Sequence, residues 1–173
     1  SIDGLSEPAA ISWDSAAGET AHGLFYPPAS ESFEGTGLPP VIAMIHGGPT
    51  SQSRAGWKAD VQYFTTRGWA VLQVNYRGST GYGDDFLRDM IGGYFQNAHT
   101  DVMSGVDHLS ALGLADGDRL AKMGWSGGGH MTNKIVTYTS RFKAAASGAG
   151  AANWISMYAQ SDTRSRRTPW FGG

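Results

Sequence analysis

The sequence predicts an α/β fold: an open, mostly parallel sheet with helices on both faces. Three observations carry this. Short strand-like runs at Val41–Ile45, Trp69–Val74, Arg119–Trp125 and Lys143–Ser147 alternate with segments of helical period. Val41–Ile45 is apolar throughout, as a strand buried on both faces requires. Glycine supplies 25 of the 173 residues, about twice the usual share, and it clusters where these elements turn over.

Residues 1–40 precede the regular pattern. Ile11–Trp13 and Ala21–Tyr26 read as short strands, with Asp14–Glu19 as the turn between them. Pro27, Pro28, Pro39 and Pro40 bracket a Gly/Ser/Glu loop and stiffen the approach to the next strand. From residue 41 the strands and helices alternate. His46-Gly47-Gly48-Pro49 breaks the first run, and Trp57–Arg67 reads as a helix with Val61, Tyr63 and Phe64 inward and Gly68 as its stop. Asn75–Gly83 is a loop, and Asp84 and Asp85 open a short helix where negative charge is favourable. Ala98–Leu112 is helical, since Val102, Val106 and Leu109 fall at i, i+4 and i+7, with Met103 and Leu112 alongside. Gly127–Thr139 is the helix after the third parallel strand. Such connections are right-handed, and ligands in such sheets sit at the carboxyl ends of the strands. The informative loops therefore follow Ile45, Val74 and Trp125.

Composition narrows the function classes. A chain of 173 residues with 40% hydrophobic and 16% charged residues builds one packed domain or part of a larger one. No Cys is present, so there is no disulfide framework and no thiolate chemistry. A net charge of −2 gives no overall field for nucleic acid. No apolar run approaches the roughly 18 residues of a membrane span. The polar, acidic N-terminus does not read as a signal peptide, and a Cys-free chain suits a cytosol or a periplasm, with a cytoplasmic location favoured. Charge is uneven: residues 1–130 hold 7 Lys and Arg against 14 Asp and Glu, whereas residues 131–173 hold 6 against 1. The basic end contains Arg164, Arg166 and Arg167, either as a solvated loop or as a face toward acidic material outside the chain.

Gly124-Trp125-Ser126-Gly127-Gly128 fits G-x-S-x-G in the context that motif needs, an apolar strand before and a helix after. A serine at such a turn takes a strained backbone conformation that projects its hydroxyl above the sheet. The residues two before and two after must be small because strand and helix cross there, and the helix N-terminus favours negative charge. Ser126 is therefore the candidate nucleophile. Its oxyanion donors are expected to be the N–H groups of Gly127 and of the loop after the first parallel strand, where Gly48 is favoured over Gly47. His46 precedes the serine in the chain, so it is read as shaping that loop. After Ser126 there is one histidine, His130, and one acid, Asp162; the order acid after base is wrong for the fold, so acid and base are expected beyond Gly173. Arg77 is expected to pair with Asp84 or Asp85. Trp125, Trp154, Tyr158 and Trp170 are candidates to line a substrate pocket, or alternatively to pack in the core. No metal site or cofactor is implied.

Taken together, His46-Gly47-Gly48-Pro49, Asn75-Tyr76-Arg77-Gly78-Ser79-Thr80-Gly81-Tyr82-Gly83, the helix from Asp101-Val102 through Asp107 to Leu109, and Gly124-Trp125-Ser126-Gly127-Gly128 resemble the catalytic domain of the prolyl oligopeptidase family of serine peptidases. The likeness is to its acylaminoacyl-peptidase and dipeptidyl-peptidase-like bacterial branch, and it spans residues 41–173. It implies an α/β-hydrolase fold, with 1–173 a partial catalytic domain that lacks the last strands. It also implies Ser126 as nucleophile, Gly48 and Gly127 as oxyanion donors, and a peptide or N-blocked peptide as substrate. The family's Asp and His, and the β-propeller its members usually carry, are expected outside this chain. A carboxylesterase on the same scaffold and a catalytically degenerate hydrolase domain are the alternatives.

Overall fold

A computed structural model describes residues 4–32, 34–94 and 96–172. Ser1–Asp3 and Gly173, at the limits of the expected 1–173 unit, lie outside the described residues. Among the described residues six strands form one mixed sheet: β1 (Ala9–Asp14), β2 (Thr20–Tyr26), β3 (Val41–Ile45), β4 (Ala70–Asn75), β5 (Leu120–Trp125) and β6 (Phe142–Gly148). Their spatial order is β1-β2-β4-β3-β5-β6. β1 and β2 form an antiparallel hairpin, and β2 joins β4 antiparallel. β4, β3, β5 and β6 run parallel. The loops after β3, β4 and β5 therefore leave the sheet at one edge, as that strand pattern anticipates.

Among the described residues six α-helices connect and cover the sheet: α1 (Ala59–Thr65), α2 (Asp84–Arg88), α3 (Gln96–Ala111), α4 (Gly127–Tyr138), α5 (Trp154–Gln160) and α6 (Arg164–Arg167). One face packs on α3 and α4. Val41, Ala43, Leu72 and Val74 of the sheet meet Val102, Val106 and Leu109 of α3 and Met131 and Ile135 of α4. The other face carries Leu24, Ile42, Met44 and Val71 against Val61 of α1. Burying these side chains supplies the stability, at roughly 1.5–3 kcal/mol for each fully buried large apolar residue.

Some expected details change. Tyr63 does not face inward: it is exposed, and the Arg67 guanidinium lies 3.9 Å over its ring. Gln62 takes the buried place instead, because both ends of its amide bond the main chain of Ser6 at 2.9 Å. Leu112 is exposed past the end of α3. A helical residue one position off the apolar stripe is rotated by about 100°, so flanking apolar residues escape burial easily. Arg77 pairs with Asp101 on α3, whose side chain is wholly buried, and Asp84 instead holds Arg88 one turn along α2. The short helices α5 and α6 have no counterpart in the sequence pattern.

β5 enters α4 through a crossing that only glycine permits. A Cβ added to Gly124 would lie 2.4 Å from the Gly128 carbonyl carbon, and one on Gly128 only 1.9 Å from the Ile45 oxygen. Gly128→Ala therefore has to push α4 away from β3. The expected cost is about 3 kcal/mol, read as a large drop in melting temperature; an unchanged melting temperature would contradict the crossing.

Lys122 interrupts the interior of β5. By strand alternation it faces the side of Leu120 and α3. Its side chain is buried, Nζ lies 4.4 Å over the Phe142 ring, and among the described residues Nζ has no hydrogen-bond partner. Burial pushes its pKa from 10.5 down to about 8. Between these two values the unfolded chain holds a proton that the folded chain lacks, so stability rises with pH there; below about 8 the whole penalty is present. Lys122→Met is expected to stabilise the protein at pH 7 by on the order of 1–3 kcal/mol and to flatten this alkaline rise. Thermal denaturation from pH 7 to 10.5 checks it, and an equally pH-dependent variant would contradict it.

Candidate active site

The parallel strand ends bring three loops together. Ser126 caps α4 with φ 56° and ψ −118°, a positive-φ conformation that is strained for a residue with a side chain. Such a conformation costs about 1–3 kcal/mol and persists only where its surroundings enforce it. Here the Ser126 N–H donates to the Gly148 oxygen of β6 at 2.9 Å, and the Ser126 oxygen accepts from His130 N at 3.0 Å. Ser126 is exposed, at the N-terminus of a twelve-residue helix. The positive end of α4 thus lies beside its hydroxyl.

The β3 loop lies against this turn. A methyl group at Gly47 would meet Ser126 Cβ at 3.3 Å and Gly127 N at 3.8 Å. One at Gly127 would meet Gly48 N at 3.1 Å. Gly48 itself has φ +120°, open to glycine and strained for other residues. Gly127 is the first residue of α4, so its N–H has no acceptor within the helix. The structure therefore brings Ser126, Gly48 and Gly127 to one place.

His46 stays within that loop. Its Nδ1 is 2.7 Å from the Gly47 oxygen and its Nε2 2.8 Å from Ser79 Oγ. The Tyr76 ring stacks on it at 4.3 Å, and Tyr76 donates its hydroxyl proton to the His46 oxygen at 3.0 Å. Burial lowers the His46 pKa; the Gly47 bond opposes that and Lys58 adds to it. Burial also raises the Tyr76 pKa well above its ordinary value, so its hydroxyl remains a donor. This arrangement fits a loop-shaping histidine.

The anchor of the β4 loop is not visible in the sequence pattern. Asp101 accepts the Arg77 main-chain N–H at 2.7 Å and the Arg77 guanidinium at 2.9 Å, and it also accepts from Ser15 Oγ at 2.6 Å. Proximity along the chain points only to Asp84 and Asp85. The pair is buried, and breaking such a pair costs about 3–5 kcal/mol.

His130 is buried on α4 and does not face a catalytic acid among the described residues. Its Nδ1 donates to the Ala151 oxygen, and the indole N–H of Trp154 meets the imidazole edge-on, 2.9 Å from Nδ1 and 2.8 Å from Nε2. Burial, the dominant influence, lowers its pKa. Asp162 is exposed between α5 and α6. The aromatic candidates separate into different places. Trp154 and Tyr158 line a cavity of about 360 Å³ with Phe171, Arg164 and Arg167. Trp125 is exposed and borders another, of about 450 Å³, with Met123, Lys58 and Gln73. Trp170 packs on Tyr94. In the basic end, Arg167 bonds Ser161 and lies 5.9 Å over Trp154, while Arg164 and Arg166 are exposed. Among the described residues no His, Cys, Asp and Glu cluster could hold a metal ion, and no helix is long and apolar enough to cross a membrane.

Comparisons with known proteins bear on the fold and the family. A peptidase of Bacillus subtilis (strain 168), uncharacterized peptidase YuxL, is 36% identical over 167 residues, covering 96% of this chain and 25% of the relative. A puromycin-hydrolyzing peptidase of Mycobacterium tuberculosis superposes with a TM-score of 0.94 at 31% identity, covering 99% of this chain and 27% of that one. An acylaminoacyl peptidase in complex with Z-Gly-Gly-Phe-chloromethyl ketone superposes with a TM-score of 0.87 at 29% identity, covering 97% of this chain and 27% of that one. The chain thus spans about a quarter of the length of these relatives, and its fold is of the α/β-hydrolase type. The pattern of the prolyl oligopeptidase family matches residues 56–172, through the β4 loop, the turn at Ser126 and the segment beyond it, and the chain belongs to that family.

Proposed function

We propose that this chain carries the nucleophile and oxyanion site of a serine hydrolase that cleaves short or N-blocked peptides. The observation that carries the reading is the exposed Ser126, held in a strained turn at the head of α4 with the Gly47-Gly48 loop against it. Ser126 Oγ attacks the substrate carbonyl while a histidine takes its proton. The tetrahedral oxyanion is held by the N–H groups of Gly48 and Gly127. The leaving amine departs with a proton from that histidine, and water then hydrolyses the acyl-enzyme. The ring contacts of His130 do not suit it for this role, so the base and its acid come from sequence beyond residue 173. The far greater length of the relatives supports that source.

Family membership, and the peptide-like chloromethyl ketone in complex with the acylaminoacyl peptidase, favour a peptide over a simple ester. The largely apolar cavity at Trp154 and Tyr158 is of a kind that suits an apolar or aromatic substrate side chain, and Trp125, next to Ser126 in the chain, borders a second cavity.

A fluorophosphonate probe applied to the full-length protein is expected to label Ser126, and Ser126→Ala to abolish both labelling and turnover. The native protein should hydrolyse N-blocked aminoacyl p-nitroanilides as well as p-nitrophenyl esters. Labelling at another residue, or none, would overturn the nucleophile; ester turnover without anilide turnover would make the protein an esterase.

A further inference from the structure

We propose that the cavity between α5 and α6 takes a carboxylate carried by the acyl part of the substrate, gripped by Arg164 and Arg167. This deepens the preceding reading and rests on it. The cavity, of about 360 Å³, has walls of Trp154, Met157, Tyr158 and Phe171, and the two arginines share its lining. No Asp or Glu lines it. Asp162 is the one acid in residues 131–173, against six Lys and Arg. Among the described residues no carboxylate forms a salt bridge with Arg164 or Arg167. The basic end of the chain thus places positive charge on an apolar cavity without supplying its counter-charge.

Arg164 and Arg167 lie three residues apart on α6 and so share one face of it. Like charges so placed repel, and an anion between them converts repulsion into attraction. Arg167 is already held for this task. Its guanidinium lies 5.9 Å over the Trp154 ring, and Nη1 donates to Ser161 Oγ at 3.3 Å. Stacking on an indole fixes the plane of the fork, and one bond to a hydroxyl leaves its other N–H groups open to a ligand. Arg164 is exposed, and its side chain makes no hydrogen bond among the described residues. The apolar walls suit the methylenes or ring of a substrate group, and the arginines suit its acidic end. The cavity also stands close to the nucleophile. Asn153 caps α5 by accepting from Ser156 N at 3.1 Å, which fixes Trp154 at the head of the helix. The Trp154 indole meets the His130 ring, and the His130 N–H donates to the Ser126 oxygen at 3.0 Å. One turn of α4, about 5.4 Å, and one indole therefore separate the cavity from Ser126, within reach of the side chains and blocking group of a short peptide.

Substrate pairs of equal shape and different charge test this on the full-length protein. The p-nitroanilide of N-acetyl-Glu is set against that of N-acetyl-Gln, and the p-nitroanilide of N-succinyl-Phe against its succinamoyl counterpart. The first pair reads an acidic side chain, the second an acidic blocking group. In at least one pair the acid is expected to be preferred about 10²-fold in kcat/KM. Arg164→Gln and Arg167→Gln are each expected to cut that preference about tenfold, and added salt to shrink it. Calorimetric binding of the corresponding carboxamides to the Ser126→Ala protein should show the same preference without any turnover. If Arg167→Gln fails to fold, Arg164→Gln decides by itself, since that side chain is exposed and bonds nothing among the described residues. Equal turnover and equal binding within both pairs would overturn the carboxylate site. So would a preference that Arg164→Gln leaves intact, the result expected if these arginines instead dock acidic residues elsewhere in the full-length protein. Fluorophosphonate labelling separates the two levels: an unlabelled Ser126 sinks the nucleophile and leaves the calorimetry to decide the cavity, whereas a labelled serine with no acid preference sinks the cavity alone.

Discussion

The fold of this chain depends on how closely α4 can approach the sheet. Where β5 ends, the helix crosses back over the carbonyl ends of β3, and the approach is too tight for a Cβ at Gly124 or Gly128. That closeness forces the chain to reverse direction in a single residue. The residue that absorbs the reversal is Ser126, at φ 56°, and its side chain is thrown outward as a result. Exposure, strain and the adjacent helix N-terminus are thus three consequences of one steric fact. They explain why an unfavourable backbone conformation persists at the one position where chemistry is proposed.

A second layer of structure fixes what faces that serine. The buried Arg77–Asp101 pair ties the β4 loop to α3, and Ser15 links the pair to the β1–β2 hairpin. The anchored loop presents Tyr76 and Ser79 to His46, and His46 meets the carbonyl of Gly47. Rigidity thereby passes from the densely packed side of the sheet to two glycines that have no rigidity of their own. The same design separates tasks: glycines give close access, and residues remote from the substrate supply the order.

Much of this is legible in the chain because it is local. The apolar run 41–45 is buried throughout, and G-x-S-x-G carries its whole steric logic within five residues. The strand pattern also implies the parallel order that gathers the loops. Other features escape for equally physical reasons. Asp101 lies 24 residues from Arg77, so only folding reveals the pair, while Asp84 and Asp85 are nearer in sequence and therefore more visible. Tyr63 and Leu112 sit just off the apolar stripe of their helices, where period alone does not settle direction. The helices α5 and α6 are seven and four residues long, too short to show a periodicity. Of the aromatic side chains expected to line a pocket or pack in the core, Trp154 and Tyr158 border one cavity, Trp125 borders another, and Trp170 packs on Tyr94, a division that sequence spacing alone does not reveal.

On the proposed mechanism, a tetrahedral adduct on Ser126 has its oxyanion between the amides of Gly48 and Gly127. A crystal structure of the full-length protein after reaction with a fluorophosphonate tests this directly. The expected result is phosphorus bonded to Ser126 Oγ, with its oxo oxygen about 2.7–3.1 Å from both nitrogens. An adduct whose oxygen points to solvent, or to any pair of groups that excludes these amides, would contradict it.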